Sequence, residues 1–158
     1  MEIRIRKAEE KDAQKIAEML IGIGALHHNG RPDIYKDNLQ KYNESDILEI
    51  LKKESMLIYV AVDDEDSVAA YAFCQIKEVS ESKALVGRKL MYIDDFCVDE
   101  KYRKMHIGQT LMRAVTEEAK KMGISGIELN VWEFNESAIK FYEKCGFVTQ
   151  KREMEIVL

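Results

Sequence analysis

The tightest constraint on the fold is a single stretch, Leu90 to Met122. An apolar run, Leu90 to Val98, leads into the turn Val98-Asp99-Glu100-Lys101-Tyr102-Arg103-Lys104-Met105-His106-Ile107-Gly108. Gly108, Leu111, Met112, Val115, Ala119 and Met122 then recur at three and four residues and stop at Gly123, the pattern of an amphipathic helix with a glycine stop. A long buried strand that feeds such a helix belongs in a sheet with helices laid on its faces. In the connecting turn, free backbone N–H groups line up with the positive end of the helix dipole, and Arg103 and Lys104 add charge. The segment reads either as an anion site that would take a pyrophosphate or as an ordinary strand-to-helix turn with solvated basic residues.

Elsewhere, Ile3 and Ile5 alternate with charged residues as in a short strand, and Ala13, Ile16, Ala17, Leu20 and Ile23 or Gly24 form a helical stripe expected to end near Gly22 and Gly24. A polar connection, His27 to Glu44, contains the only proline, Pro32, and leads to Ser45 as the N-cap of a short helix with Ile47, Leu48 and Leu51 inward. Met56–Val62 and Val68–Ile76 read as a hairpin around an acidic turn, Lys77–Lys89 as a loop, and Leu90–Val98 as a third strand. Gly126–Val131 is a short strand, Asn135–Cys145 a helix, and Phe147–Val157 a final strand. The order β-α-α-β-β-β-α-β-α-β predicts an α/β (α+β) fold, a mixed sheet with helices on both faces, in one domain over residues 1–158.

Composition narrows the function classes. With 158 residues and 46% hydrophobic content the chain can build a core without disulfide or metal staples. Its longest apolar run, Met19 to Leu26, falls far short of the ~18 residues of a membrane span, and Glu2, Arg4, Arg6 and Lys7 stand where a signal peptide needs apolar residues, so the expected location is cytoplasmic. Three cysteines, Cys74, Cys97 and Cys145, match no zinc or redox spacing and read as reduced thiols. A net charge of −5 with dispersed basic residues argues against nucleic acid as a partner. Adjacent His27 and His28 lack a second ligand pair, so no metal is expected.

A second segment, Asn135-Glu136-Ser137-Ala138-Ile139-Lys140-Phe141-Tyr142-Glu143-Lys144-Cys145-Gly146-Phe147, reads by itself as a capped helix with Tyr142 as a core aromatic. Together the two segments resemble the GNAT superfamily of acyl-CoA-dependent N-acyltransferases, and the element order extends the resemblance over nearly the whole chain. In that family an Arg/Gln-x-x-Gly-x-Gly/Ala loop and its helix hold CoA; Arg103 and Gly108 match, while His106 stands where the first glycine is usual. Asn135, Ala138, Phe141, Tyr142, Gly146 and Phe147 match the later family segment. The resemblance implies a mostly antiparallel central sheet and acetyl-CoA as co-substrate, held by Phe96, Cys97, Val98, Arg103, Lys104, Met105, His106, Ile107, Gly108, Gln109, Asn135, Ala138, Phe141 and Tyr142. It also implies direct transfer to an amine, backbone N–H contacts from Phe96 and Val98, and a homodimer as a common arrangement.

Transfer to an amine needs a proton acceptor, because a Lys-like ammonium with a pKa of about 10.4 has no lone pair to attack a thioester. Asp94 and Asp95, adjacent carboxylates within an apolar strand, are the candidates: such groups are costly to desolvate unless they are paired or used. Period-two geometry sends them to opposite faces unless a bulge intervenes. Tyr92-Ile93-Asp94-Asp95-Phe96 is similar to the strand of diamine and polyamine acetyltransferases whose first acidic residue is the base, which favours Asp94, and the resemblance makes Tyr142 the proton donor to the leaving sulfur. His27, His28, Arg31, Pro32, Asp33 and Tyr35 form either an acceptor-binding wall or a solvated loop, and Trp132 and Phe134 either border the cleft or belong to the core. The expected activity is acetylation of a small primary amine such as a polyamine; the alternatives are a protein N-terminal or lysine acetyltransferase and a non-catalytic acyl-CoA-binding module.

Overall fold

Five strands lie side by side in chain order. The computed structural model describes residues 1–158. β1 (Arg4–Lys7), β2 (Met56–Val62), β3 (Val68–Val79) and β4 (Arg88–Val98) pair antiparallel, and β5 (Gly126–Leu129) joins β4 in parallel. Helices α1 (Ala13–Gly30) and α2 (Glu44–Leu51) cover one face, where Ile16, Leu20, Ile47, Val60, Tyr71 and Phe73 are fully buried. Helix α3 (Ile107–Lys121) covers the other with Leu111, Met112, Val115 and Ala119, joined at its margin by Phe141 and Tyr142 of α4 (Glu136–Lys144). Each large side chain so buried is worth about 1.5–3 kcal/mol relative to exposure. The result is the expected mixed, mostly antiparallel sheet with helices on both faces. No helix is long and apolar enough to cross a membrane.

Several boundaries differ from the sequence pattern, each for a physical reason. Helix α1 does not stop near Gly22 and Gly24 but runs to Gly30. A glycine inside a helix costs only about 1 kcal/mol, and here it serves packing: a Cβ on Gly24 would collide with the Leu39 carbonyl, and one on Gly30 with the Phe134 ring. Asn43, rather than Ser45, caps α2, because its side chain accepts from the Asp46 N–H while the Asp46 carboxylate accepts from the Asn43 N–H. β3 and β4 extend into the expected loop, pairing Lys77, Glu78 and Val79 with Leu90, Lys89 and Arg88. β5 ends at Leu129 instead of Val131.

The final strand expected over Phe147–Val157 does not form. Polar residues Thr149 to Glu153 interrupt its apolar alternation, so neither face offers a continuous surface to bury. Past Phe147, which packs on Tyr142, the segment lies outside the sheet, with Val148, Met154, Ile156 and Val157 exposed, and touches the rest of the fold through Gln150 to Glu128 and Glu155 to Arg31.

Two features of β4 shape the site. β5 pairs only with Leu90 to Ile93, so the strands part beyond that point and residues 94–98 of β4 border a wedge. At the same place β4 bulges: Phe73 faces Asp95 and Cys74 faces Ile93, which leaves Asp94 as the extra residue. The bulge overrides strict alternation, and the two carboxylates are not sent to opposite faces: both approach Lys41, on the side of α1 and α2.

Candidate active site

The turn after β4 is built as a cradle of backbone donors. Lys104 (φ 65°) and His106 (φ 60°) are left-handed and flank Met105. No backbone N–H from Lys104 through Gln109 donates within the protein; the Thr110 N–H, to the His106 carbonyl at 3.0 Å, is the first helical bond. Six consecutive donors thus open α3 at the positive end of its dipole, an arrangement that fits a diphosphate. Holding a histidine left-handed costs about 1–2 kcal/mol, a strain of the kind that collects at ligand clamps. Its ring lies over the first helical turn, with Nδ1 2.9 Å from Gln109 Oε1. Arg103 is exposed, 3.4 Å from Glu100. Gly108 permits the close start of α3: a Cβ there would lie 3.1 Å from both Val98 and Phe141.

The wedge continues from this turn. Because the Asp99 N–H bonds across to Ala69 of β3, strand alternation points the Phe96 and Val98 N–H groups the other way, toward the side that β5 has vacated. Asn135 caps α4 by accepting from the Ala138 N–H at 3.2 Å. A groove of about 620 Å³ runs from Arg103 past Asn135 and Phe134 to Gly22, Ala25 and Gly30 of α1, within the size range of small-molecule sites.

The titratable groups lie on β4 past the point where β5 leaves it, and on α4. Tyr142 packs against Phe96, Phe141 and Phe147; its hydroxyl has no protein hydrogen-bond partner and is not sealed from solvent. Burial, and then the charge of Asp95, raise its pKa, so the phenol keeps its proton at neutral pH. The Asp95 side chain is 7% exposed; burial pushes its pKa up to about 6, although the Tyr71 hydroxyl donates to it at 3.2 Å. Asp94 is more open and accepts from the Tyr42 hydroxyl at 2.8 Å and from Lys41 Nζ at 2.9 Å. Cys97 faces the α1–α2 core, and burial raises its thiol to about 12, which leaves no thiolate for an acyl-enzyme route. No three His, Cys, Asp or Glu side chains converge as metal ligands do.

The residues expected on the acceptor side form an aromatic cluster. Contrary to the placement after the first helix, His27 and His28 belong to the last turn of α1, since α1 is longer than expected. His27 stacks on Tyr35 at 5.0 Å, His28 Nδ1 lies 2.8 Å from the Tyr35 carbonyl, and Trp132 Nε1 donates to the Tyr35 hydroxyl at 2.9 Å. Phe134 stacks on Trp132. Burial, then the charge of Lys41, lower the pKa of His27, which keeps the ring neutral beside the cation. Arg31 lies 5.2 Å over Trp132, but Asp33 and Glu155 hold its guanidinium at 2.7 and 2.6 Å.

Residues 24–147 match the acetyltransferase (GNAT) family. The chain belongs to that family. Among other GNAT and related proteins, it is 35% identical over 63 residues to the L-ornithine N5-acetyltransferase NATA1 of Arabidopsis thaliana, covering 40% of this chain and 28% of that protein. It is 32% identical over 72 residues to the glucosamine 6-phosphate N-acetyltransferase of Trypanosoma brucei brucei, covering 46% and 47%. The matches therefore span less than half the length of these curated relatives. A crystal structure of a mutant BH1408 protein from Bacillus halodurans superposes with a TM-score of 0.93 at 30% identity, over 98% of this chain and 99% of that one.

Within this GNAT fold, three polar side chains at the acidic pair escape sequence reasoning: Lys41, Tyr42 and Tyr71. Lys41 and Tyr42 lie in the connection between α1 and α2, 52 or 53 residues from the carboxylate they touch. In sequence Tyr71 is only one residue of an apolar strand. No local pattern marks such contacts, because the sheet register alone creates them.

Proposed function

We propose that this protein transfers the acetyl group of acetyl-CoA directly to a primary amine of a small, positively charged molecule, a polyamine-like diamine being the best fit. The observation that carries the reading is that β4, past the point where β5 leaves it, bears a pair of carboxylates and then runs into a turn of free N–H donors. The turn Arg103–Gln109, with Asn135, Ala138 and Phe141 across the groove, would hold the CoA moiety, and the Phe96 and Val98 N–H groups its pantetheine end. Acetyl-CoA supplies an acetyl group activated as a thioester.

The chain's own groups supply the proton chemistry. Asp94, at the open end and hydrogen-bonded by Tyr42, holds the incoming ammonium. Asp95, lifted by burial to about 6, is the proton acceptor, near the working pH of a general base. The preference thus moves from Asp94 to its neighbour, for a reason of burial that the sequence pattern did not expose. Tyr142, protonated and without a protein partner, donates its proton to the leaving sulfur. His27, His28, Tyr35 and Trp132 line the acceptor side, where faces of aromatic rings favour a cation. The names of the two curated relatives, which specify ornithine and glucosamine 6-phosphate, support a small-molecule amine over a protein.

The test is a screen of the purified protein with acetyl-CoA, reading CoA release. Diamines such as putrescine are expected to release CoA far faster than amino-acid amides or peptides. Release confined to peptide N-termini or lysines would replace the acceptor class, and acetyl-CoA binding with no release for any amine would make the protein a binding module.

A further inference from the structure

The acidic pair already has a primary ammonium on it. Lys41 Nζ lies 2.9 Å from Asp94 Oδ2, 2.9 Å from the Asp94 main-chain carbonyl and 4.0 Å from Asp95 Oδ2, with the Tyr42 ring 5.4 Å away. These carboxylates are the ones assigned above to the acceptor amine. Resting on that assignment, we propose that Lys41 is a tethered occupant of the acceptor's ammonium position, which a cationic substrate must displace, so that Lys41 sets both affinity and the requirement for a positively charged acceptor.

The local structure suits an exchange of this kind. The backbone on either side of Lys41 is pinned: Gln40 Nε2 donates to the Ala17 carbonyl at 3.0 Å, and Tyr42 stacks on Phe73 at 5.4 Å. Only the Lys41 side chain therefore has to swing. Its side chain is 40% exposed, and an ion pair so open to water is worth at most about 1 kcal/mol, which an incoming ligand can overcome. Removing the ammonium strands two adjacent carboxylates, one of them Asp95 with 7% of its side chain exposed, so the site must be refilled by another cation. An amine that brings its own ammonium exchanges one positive charge for another; a neutral or anionic acceptor cannot. The second nearby cation, Lys77, is engaged elsewhere, 3.8 Å over the Tyr92 ring.

Calorimetric titration of putrescine, without acetyl-CoA, tests this on the parent, Lys41→Gln, Lys41→Arg and Asp94→Asn proteins. Lys41→Gln is expected to bind putrescine roughly 3–6-fold more tightly, because the share of protein with an open site rises, whereas Lys41→Arg retains a competing cation and binds as the parent does. Thermal melts supply a second readout: Lys41→Gln should melt lower than the parent and recover when putrescine is added. Asp94→Asn should weaken putrescine binding. Equal or weaker binding by Lys41→Gln, or undiminished binding by Asp94→Asn, would overturn the proposal. Should acetyl transfer proceed normally while Lys41→Gln binds no better, this inference falls and the acetyltransferase reading stands; should the binding pattern hold with no acetyl-CoA turnover, the reverse applies.

Discussion

Asp95→Asn is expected to lose amine transfer by roughly 10²–10⁴-fold in kcat/KM while making the folded protein more stable above about pH 6. The two effects share one cause. Asp95 is almost wholly buried, and burial raises its carboxyl from the ordinary 3.8 to about 6. Between those values the native state keeps a proton that the unfolded chain has released. For a carboxyl raised in this way, stability is highest below the unfolded value and declines as pH rises through the folded value, where the buried charge must form. A shift of about two units corresponds to roughly 3 kcal/mol. Asparagine keeps the shape and the acceptor for the Tyr71 hydroxyl but carries no charge, so the variant should gain about 5–10 °C in Tm at mildly alkaline pH and little at acidic pH. The parent's kcat/KM should rise with pH through about 6 and the variant's residual rate should not. A variant that melts with the parent at every pH, or that keeps the rising limb, would remove Asp95 as the titrating base.

Tyr142→Phe is the complementary experiment, because here the rate should change alone. The ring packs among Phe96, Phe141 and Phe147, surroundings that suit phenylalanine equally well. The hydroxyl is open to solvent and makes no hydrogen bond within the protein, so its removal leaves no orphaned partner. Stability and acetyl-CoA affinity should therefore stay within ~0.5 kcal/mol of the parent, while kcat falls by roughly 10²–10³-fold for want of the proton donor. Unchanged kcat would take Tyr142 out of the mechanism and leave it as a core aromatic.

Much of this site was legible in the residues. Period and charge mark the strand, turn and helix around Val98–Gly108, and Asn135 and Gly146 mark the ends of α4 through capping chemistry that is purely local. Local signals failed where contacts at a distance took over. Gly24 resembles a helix stop in sequence but is a clearance for the Leu39 backbone, and the alternation after Phe147 resembles a strand but has no apolar face to bury. The common orientation of Asp94 and Asp95 depends on a bulge opposite Phe73 and Cys74, a property of register between two strands. Lys41 and Tyr42 reach those carboxylates only after the fold has closed.

The direct measurement of whether the turn from Lys104 to Gln109 grips a diphosphate is a calorimetric titration of the folded protein with acetyl-CoA. Saturable binding is expected, with one ligand per chain and an affinity that weakens as salt is added. An absence of heat and of saturation up to millimolar acetyl-CoA, with protein shown by its melting transition to be folded, would contradict the assignment of the wedge and with it the proposed acetyl transfer.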